Sequence, residues 1–159
     1  MRVAILTVSD SVMNGTRVDE SGQAIADWCL SHGYSLAGRA TVTDETSRIV
    51  PALATWCDSG DVDLILTTGG TGLSSRDVTP EATRAVVERD ASGIAEYIRA
   101  QSFDRFPRAA LSRGEAGVRG STLVINLPGS TSGVNDALTA LEPIIEHAVD
   151  VLGGRNSHQ

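Results

Sequence analysis

Three short apolar runs constrain this chain more than anything else in it. Residues 3–8 (VAILTV), 62–67 (VDLILT) and 123–127 (LVINL) are predominantly apolar without alternation, and each gives way within two residues to Ser, Gly or Pro. Runs of that length and character read as strands covered on both faces. A further strand is expected over 34–42. The intervening segments carry helical spacing instead. Ile25, Trp28, Cys29 and His32 form one stripe, closed by Gly33, and Ile49, Leu53, Trp56 and Cys57 form another. Gly93 opens a third, through Ile94, Tyr97 and Ile98. Val134, Leu138, Leu141, Ile145, Ala148 and Leu152 make a long last stripe with a kink expected at Pro143. Ser47 as N-cap would leave Pro51 in a first turn, and Thr79-Pro80-Glu81 reads as N-cap, N1 and first-turn acid of a helix reaching about Arg89. Residues 102–121 are mixed and suggest no element. Strands alternating with helices predict a single three-layer α/β/α domain over 1–153 with a mostly parallel sheet, followed by a flexible tail over 154–159.

In such sheets ligands sit beyond the carboxyl ends of the strands. Three of these ends carry unusual chemistry: Ser9-Asp10, the 68–77 loop, and the turn 126–130. In the second, Gly69, Gly70 and Gly72 let the backbone approach a ligand with its N–H groups turned inward, as phosphate requires. The same glycines equally suit a tight turn out of a buried strand. No Gly-Lys-Ser/Thr follows, so this is not a Walker loop, and Ser75 stands where a dinucleotide fingerprint needs its third glycine. Asp77 reads either as an acid favouring the helix that follows or as a carboxylate holding a divalent cation against phosphate. Asp44, after the second strand, admits the same two readings. Pro128-Gly129-Ser130 is either an ordinary turn or an anion-binding approach to a helix. Gly129 to Gly133 has Thr131 at its centre and misses the nucleophile-elbow pattern.

All 13 basic residues are Arg, against 20 acids and a net charge of −7. The acidic balance speaks against nucleic acid as a partner. The absence of lysine removes Schiff-base and lysine-base chemistry, so any anion must be held by Arg, backbone or metal. Arg76, Arg108, Arg113 and Arg119 are nearest in sequence to the glycine-rich segments. Each is a candidate for that role or a solvated surface charge. Cys29 and Cys57 read as small buried apolar residues, the three histidines are scattered, and no run approaches a membrane span. Without a signal-peptide pattern, a reducing cytoplasm is expected.

Taken together, Thr-Val-Ser-Asp (7–10), Asp19-x-Ser21-Gly22, Val42-Thr43-Asp44-Glu45, Leu66 to Gly72, Arg76 to Thr83, Leu111-Ser112-Arg113 and Asn126 to Ser130 resemble the MogA/MoaB family of molybdenum-cofactor biosynthesis, which includes the gephyrin G domain. The resemblance covers about residues 2–153. It implies a molybdopterin-binding fold and transfer of AMP from MgATP to the terminal phosphate of molybdopterin, releasing pyrophosphate. Asp44 and Asp77 match the family's two important aspartates and are the implied Mg²⁺ ligands. Gly69, Gly70, Thr71 and Gly72, with Ser75, Pro128, Gly129 and Ser130, match its nucleotide and pterin contact region, and Asp10 would orient the nucleotide. Trimers, and in some members hexamers, are implied. Many relatives carry a lysine just after the LPGS turn, where this chain has Thr131-Ser132-Gly133. A MoaB-like paralogue that binds the pterin without efficient AMP transfer, or a non-catalytic scaffold, are the alternative functions.

Overall fold

The computed structural model describes residues 1–155; residues 156–159, most of the expected tail and His158 with them, lie outside the described residues. The chain runs β1 (Arg2–Val8), α1 (Asp10–Met13), α2 (Glu20–Ser31), β2 (Ser35–Val42), α3 (Thr46–Asp58), β3 (Leu64–Thr68), α4 (Thr79–Val86), β4 (Arg89–Asp90), α5 (Ser92–Ser102), a 3₁₀ helix (Pro107–Leu111), β5 (Ala116–Arg119), β6 (Thr122–Leu127), α6 (Thr131–Leu141) and α7 (Ile145–Leu152). The six strands form one sheet in the order β2-β1-β3-β6-β5-β4. The first four are parallel, whereas β5 runs antiparallel to β6, and β4 antiparallel to β5.

Alternation along the central strands divides their side chains between two cores. Val3, Ile5, Leu64, Leu66, Leu123 and Ile125 pack under α2, α5, α6 and α7 with Ile25, Ile98, Leu138 and Ile145. Ala4, Leu6, Val8, Ile65 and Val124 face the other way, against Ile49 and Leu53 of α3 and Ala82 and Val86 of α4. This is why the runs are mostly apolar on both faces. Each fully buried Leu or Ile here contributes roughly 1.5–3 kcal/mol of apolar transfer. Cys29 and Cys57 are buried free thiols as expected, and burial pushes both up to about 11. No helix among the described residues is long and apolar enough to cross a membrane.

Four local expectations are corrected. Ser47 does not cap α3. The helix starts at Thr46 after an extended Glu45, whose carbonyl takes the N–H groups of Arg48 and Ile49 at 3.0 Å each, so Pro51 falls beyond the first turn. Thr79 is the first helical residue rather than the cap, because its hydroxyl is committed to the Gly69 carbonyl (2.9 Å) and its N–H to Gly70 (3.1 Å). α4 stops at Val86, three residues before the expected end, as the chain straightens into β4. The last stripe is two helices, α6 and α7, because Pro143 interrupts the chain between them rather than kinking one helix. The strands β4 and β5 occupy segments to which the sequence pattern assigned none.

Candidate active site

Parallel alignment carries the ends of β1, β2, β3 and β6 to one edge of the sheet, and the loops leaving them pack backbone to backbone. Gly69 has φ +97, and a Cβ there would collide with the Val8 carbonyl. A Cβ on Gly129 would lie 3.3 Å from the Gly69 Cα. Glycine at these positions is therefore what lets three loops share one space. Gly70, at φ +68, passes equally close to the Thr79 hydroxyl.

Two clefts open on this edge. One, of about 470 Å³, is lined by Ser9, Asp10, Asp19, Ser21, Asp44, Gly69 and others. The second, of about 460 Å³, runs under α5 and the 3₁₀ helix past Thr71, Gly72, Arg99, Arg108, Ser112 and Pro128. Gly70, Asp77, Gly129 and Ser130 line both, so these four residues form the wall where the clefts meet.

The carboxylates at and beside this wall are held by the backbone. Asp10 and Asp44 exchange bonds: the Asp10 N–H donates to Asp44 Oδ2 (2.8 Å) and the Asp44 N–H to Asp10 Oδ1 (3.0 Å). Arg76 donates to Asp10 Oδ2 from Nη2 (2.7 Å) and Nε (3.1 Å). The Asp44 amide, followed by the Arg76 guanidinium, holds the Asp10 carboxyl below its ordinary value. Burial pushes the Asp44 carboxyl up, and the negative charges of Asp10 and Asp77 add to that. Asp77 Oδ2 accepts from the Ser74 N–H (2.9 Å).

The glycine loop is anchored from outside. The Arg113 N–H donates to the Thr71 carbonyl (2.7 Å), Nε to Gly72 (2.8 Å), Nη2 to Asp77 (2.6 Å) and Nη1 to Glu81 (2.7 Å). The Gly69 N–H is spent on the Leu127 carbonyl (3.3 Å). Among the described residues the N–H groups of Gly70, Thr71 and Gly72, and the Thr71 hydroxyl, form no hydrogen bond. Of the loop amides expected to meet an anion, that of Gly69 is therefore already bonded. Ser130 accepts from Gly133 N–H (3.1 Å) and caps α6, with its hydroxyl proton left over. Asn126 is 5 % exposed and donates to Thr67 Oγ1 (3.0 Å) and Thr83 Oγ1 (2.9 Å), while Glu115 N–H reaches its side-chain oxygen (3.0 Å).

The sequence-predicted residues Asp10, Asp44, Gly69, Gly70, Thr71, Gly72, Asp77, Pro128, Gly129 and Ser130 therefore meet at one edge. Ser75 does not join them: it is exposed and lines neither cleft. Of the four arginines singled out, Arg113 is consumed in anchoring the loop and Arg119 pairs with Asp58 (2.9 Å), outside both clefts. Arg76 is paired with Asp10, and only Arg108 lines a cleft, 5.4 Å above the Phe106 ring. Arg99 and Arg105 also line that cleft and were missed. For Arg99 the signal was present: Ala95, Arg99 and Ser102 recur at i, i+4 and i+7, which puts a guanidinium on an inward helix face.

The family model described as "Probable molybdopterin binding domain" matches residues 4–147. The molybdopterin adenylyltransferase of Helicobacter pylori strain J99 is 37 % identical over 97 % of this chain and 89 % of its own length. The structure of the molybdopterin biosynthesis enzyme MoaB from Thermus thermophilus superposes with a TM-score of 0.91 at 46 % identity, covering 96 % of both chains. The molybdopterin biosynthesis Mog protein of Mycobacterium ulcerans gives 0.88 at 39 % identity, over 94 % of this chain and 97 % of that one.

Proposed function

The chain belongs to the molybdopterin-binding family of molybdenum-cofactor biosynthesis, and from that premise we propose that it is a molybdopterin adenylyltransferase. A phosphate oxygen of molybdopterin attacks the α-phosphorus of ATP; one P–O bond forms, the bond to the β-phosphate oxygen breaks, and pyrophosphate leaves. The observation that carries this reading is the shared wall. Two substrates need two adjoining clefts, and Gly70, Asp77, Gly129 and Ser130 line both where the phosphates must meet.

A phosphate monoester is largely dianionic near neutral pH, so no strong base is required, and the barrier lies in bringing anions together. The free N–H groups of Gly70, Thr71 and Gly72 receive phosphate oxygens, with the Thr71 and Ser130 hydroxyls as further donors. Asp44 and Asp77 are the ligands proposed for Mg²⁺. Both line the acidic cleft, and each keeps one oxygen outside the backbone bonds that orient it. Among the described residues no group of three or more His, Cys, Asp or Glu side chains forms a metal cluster. One or two carboxylates with water and substrate oxygens is the donor set magnesium takes. Bound there, the ion would neutralise phosphate oxygens and the departing pyrophosphate. Asp10 holds Asp44 in place through the exchanged bonds and is itself paired with Arg76. Assembly as a homotrimer, in the cytoplasm, completes the proposal. Asp44→Asn and Asp77→Asn, each assayed for adenylyl-molybdopterin formation, test it: turnover falls roughly 100-fold or more in both. Near-normal turnover in both removes the carboxylates from the mechanism.

A further inference from the structure

We infer that Arg99 binds a substrate phosphate in the cleft beneath α5, a role that rests on the adenylyltransferase reading and gives that cleft its cation. Among the described residues eight of the 13 arginines are ion-paired: Arg2, Arg39, Arg76, Arg84, Arg105, Arg113, Arg119 and Arg155. Of the other five, Arg17, Arg48, Arg89 and Arg108 are exposed, and only Arg99 is half-buried. Its Nη1 donates to the carbonyls of Gly114 (2.8 Å) and, more weakly, Ser112 (3.4 Å). Those bonds aim the guanidinium but cancel no charge, and among the described residues its Nε and Nη2 donate to nothing. That leaves the Nε and Nη2 edge of the guanidinium open to the cleft, the edge a phosphate takes in a forked, charge-assisted contact.

The cleft around it suits such a guest. Ser102, Ser112, Ser130 and Ser132 add hydroxyls, and Asp136 is already neutralised by Arg105 at 2.7 Å. Asp77 stands on the shared wall, away from α5 in sequence and tied to the Ser74 amide. In a chain without lysine, Arg99 is the half-buried cation that this cleft has to offer. The phosphate it binds is one not covered by metal, carried either by the nucleotide or by the pterin.

The test compares wild type with Arg99→Gln and Arg99→Lys in steady-state adenylylation, together with direct binding of AMP and adenosine. Arg99→Gln raises the KM for one substrate roughly 10- to 100-fold, the loss expected for a charge-assisted contact, measured at a temperature where the variant is fully folded. Arg99→Lys recovers part of it. If the phosphate is the nucleotide's, the preference for AMP over adenosine collapses in Arg99→Gln. If it is the pterin's, that preference survives and the molybdopterin KM takes the rise. Both KM values within about twofold of wild type overturn the inference, as does a loss that merely follows a fall in Tm. A wild-type enzyme that forms no adenylyl-pterin defeats the functional reading instead, and the AMP and adenosine arm together with molybdopterin binding then judges Arg99 alone. If Arg99→Gln does not fold, phenylglyoxal labelling of wild type read by peptide mass spectrometry decides. AMP or molybdopterin protects Arg99 and adenosine does not; an unprotected Arg99 overturns the inference.

Discussion

Removing Arg113 tests whether the glycine loop is held from outside. Arg113→Met keeps the backbone bond to Thr71 and deletes three side-chain anchors: those to the Gly72 and Asp77 carbonyls at 2.8 and 2.6 Å, and the pair with Glu81 at 2.7 Å. Hydrogen bonds from a charged group contribute about 1.5–3 kcal/mol each. The Glu81 pair is worth less, about 0.2–1 kcal/mol, because its partners are 31 % and 43 % exposed. The loop carbonyls can turn partly to water, so the expected loss is about 2–5 kcal/mol, against about 5–15 kcal/mol for a domain as a whole. The variant should therefore fold, with a lower urea midpoint and an unchanged m-value. Turnover should fall about 10- to 100-fold, because a loose loop no longer sets Asp77 and the amides of Gly70 to Gly72. Arg113→Lys keeps the charge but not the fork, and should recover little. A loss below about 1 kcal/mol with normal turnover in Arg113→Met would refute the reasoning.

Other perturbations separate the remaining elements. Asp44→Asn should raise Tm while abolishing turnover: burial lifts the folded Asp44 carboxyl above its unfolded value, so ionising it at neutral pH opposes folding. Asp10 has the opposite sign. Its depressed folded value contributes stability that is present above about pH 3.9 and lost as pH falls through the lower folded value, so urea midpoints of Asp10→Asn should flatten over that acid range. Asn126→Ala strands the Glu115 amide and should lower stability by roughly 1–3 kcal/mol in denaturant titration. Gly69→Ala forces a Cβ into the Val8 carbonyl at a positive φ and should lower both Tm and turnover.

The three central parallel strands were legible because they are buried on both faces, so hydrophobicity marks residues 3–8, 62–67 and 123–127. The antiparallel edge was not. β4 has two residues and β5 four, with Gly117 among them, too short for any period to register. The start of α4 was misplaced because Thr79, which reads as a cap, spends its hydroxyl on the Gly69 carbonyl. In the site, the strand-end motifs pointed to Asp10, Asp44, Asp77 and the glycines because sequence-adjacent residues share one backbone turn. Which arginine faces a cleft is a property of packing: Arg113 is adjacent to the motif yet serves as its anchor. Arg99 lies 27 residues from Gly72 and reaches the cleft only because α5 lines it.

Purified protein incubated with molybdopterin and MgATP, with the pterin product and pyrophosphate both measured, tests the central claim most directly. The account predicts adenylyl-molybdopterin and pyrophosphate in equal amounts, lost when magnesium is chelated. Molybdopterin that binds but is recovered unmodified, with no pyrophosphate formed, would contradict it and assign the chain to pterin binding without transfer.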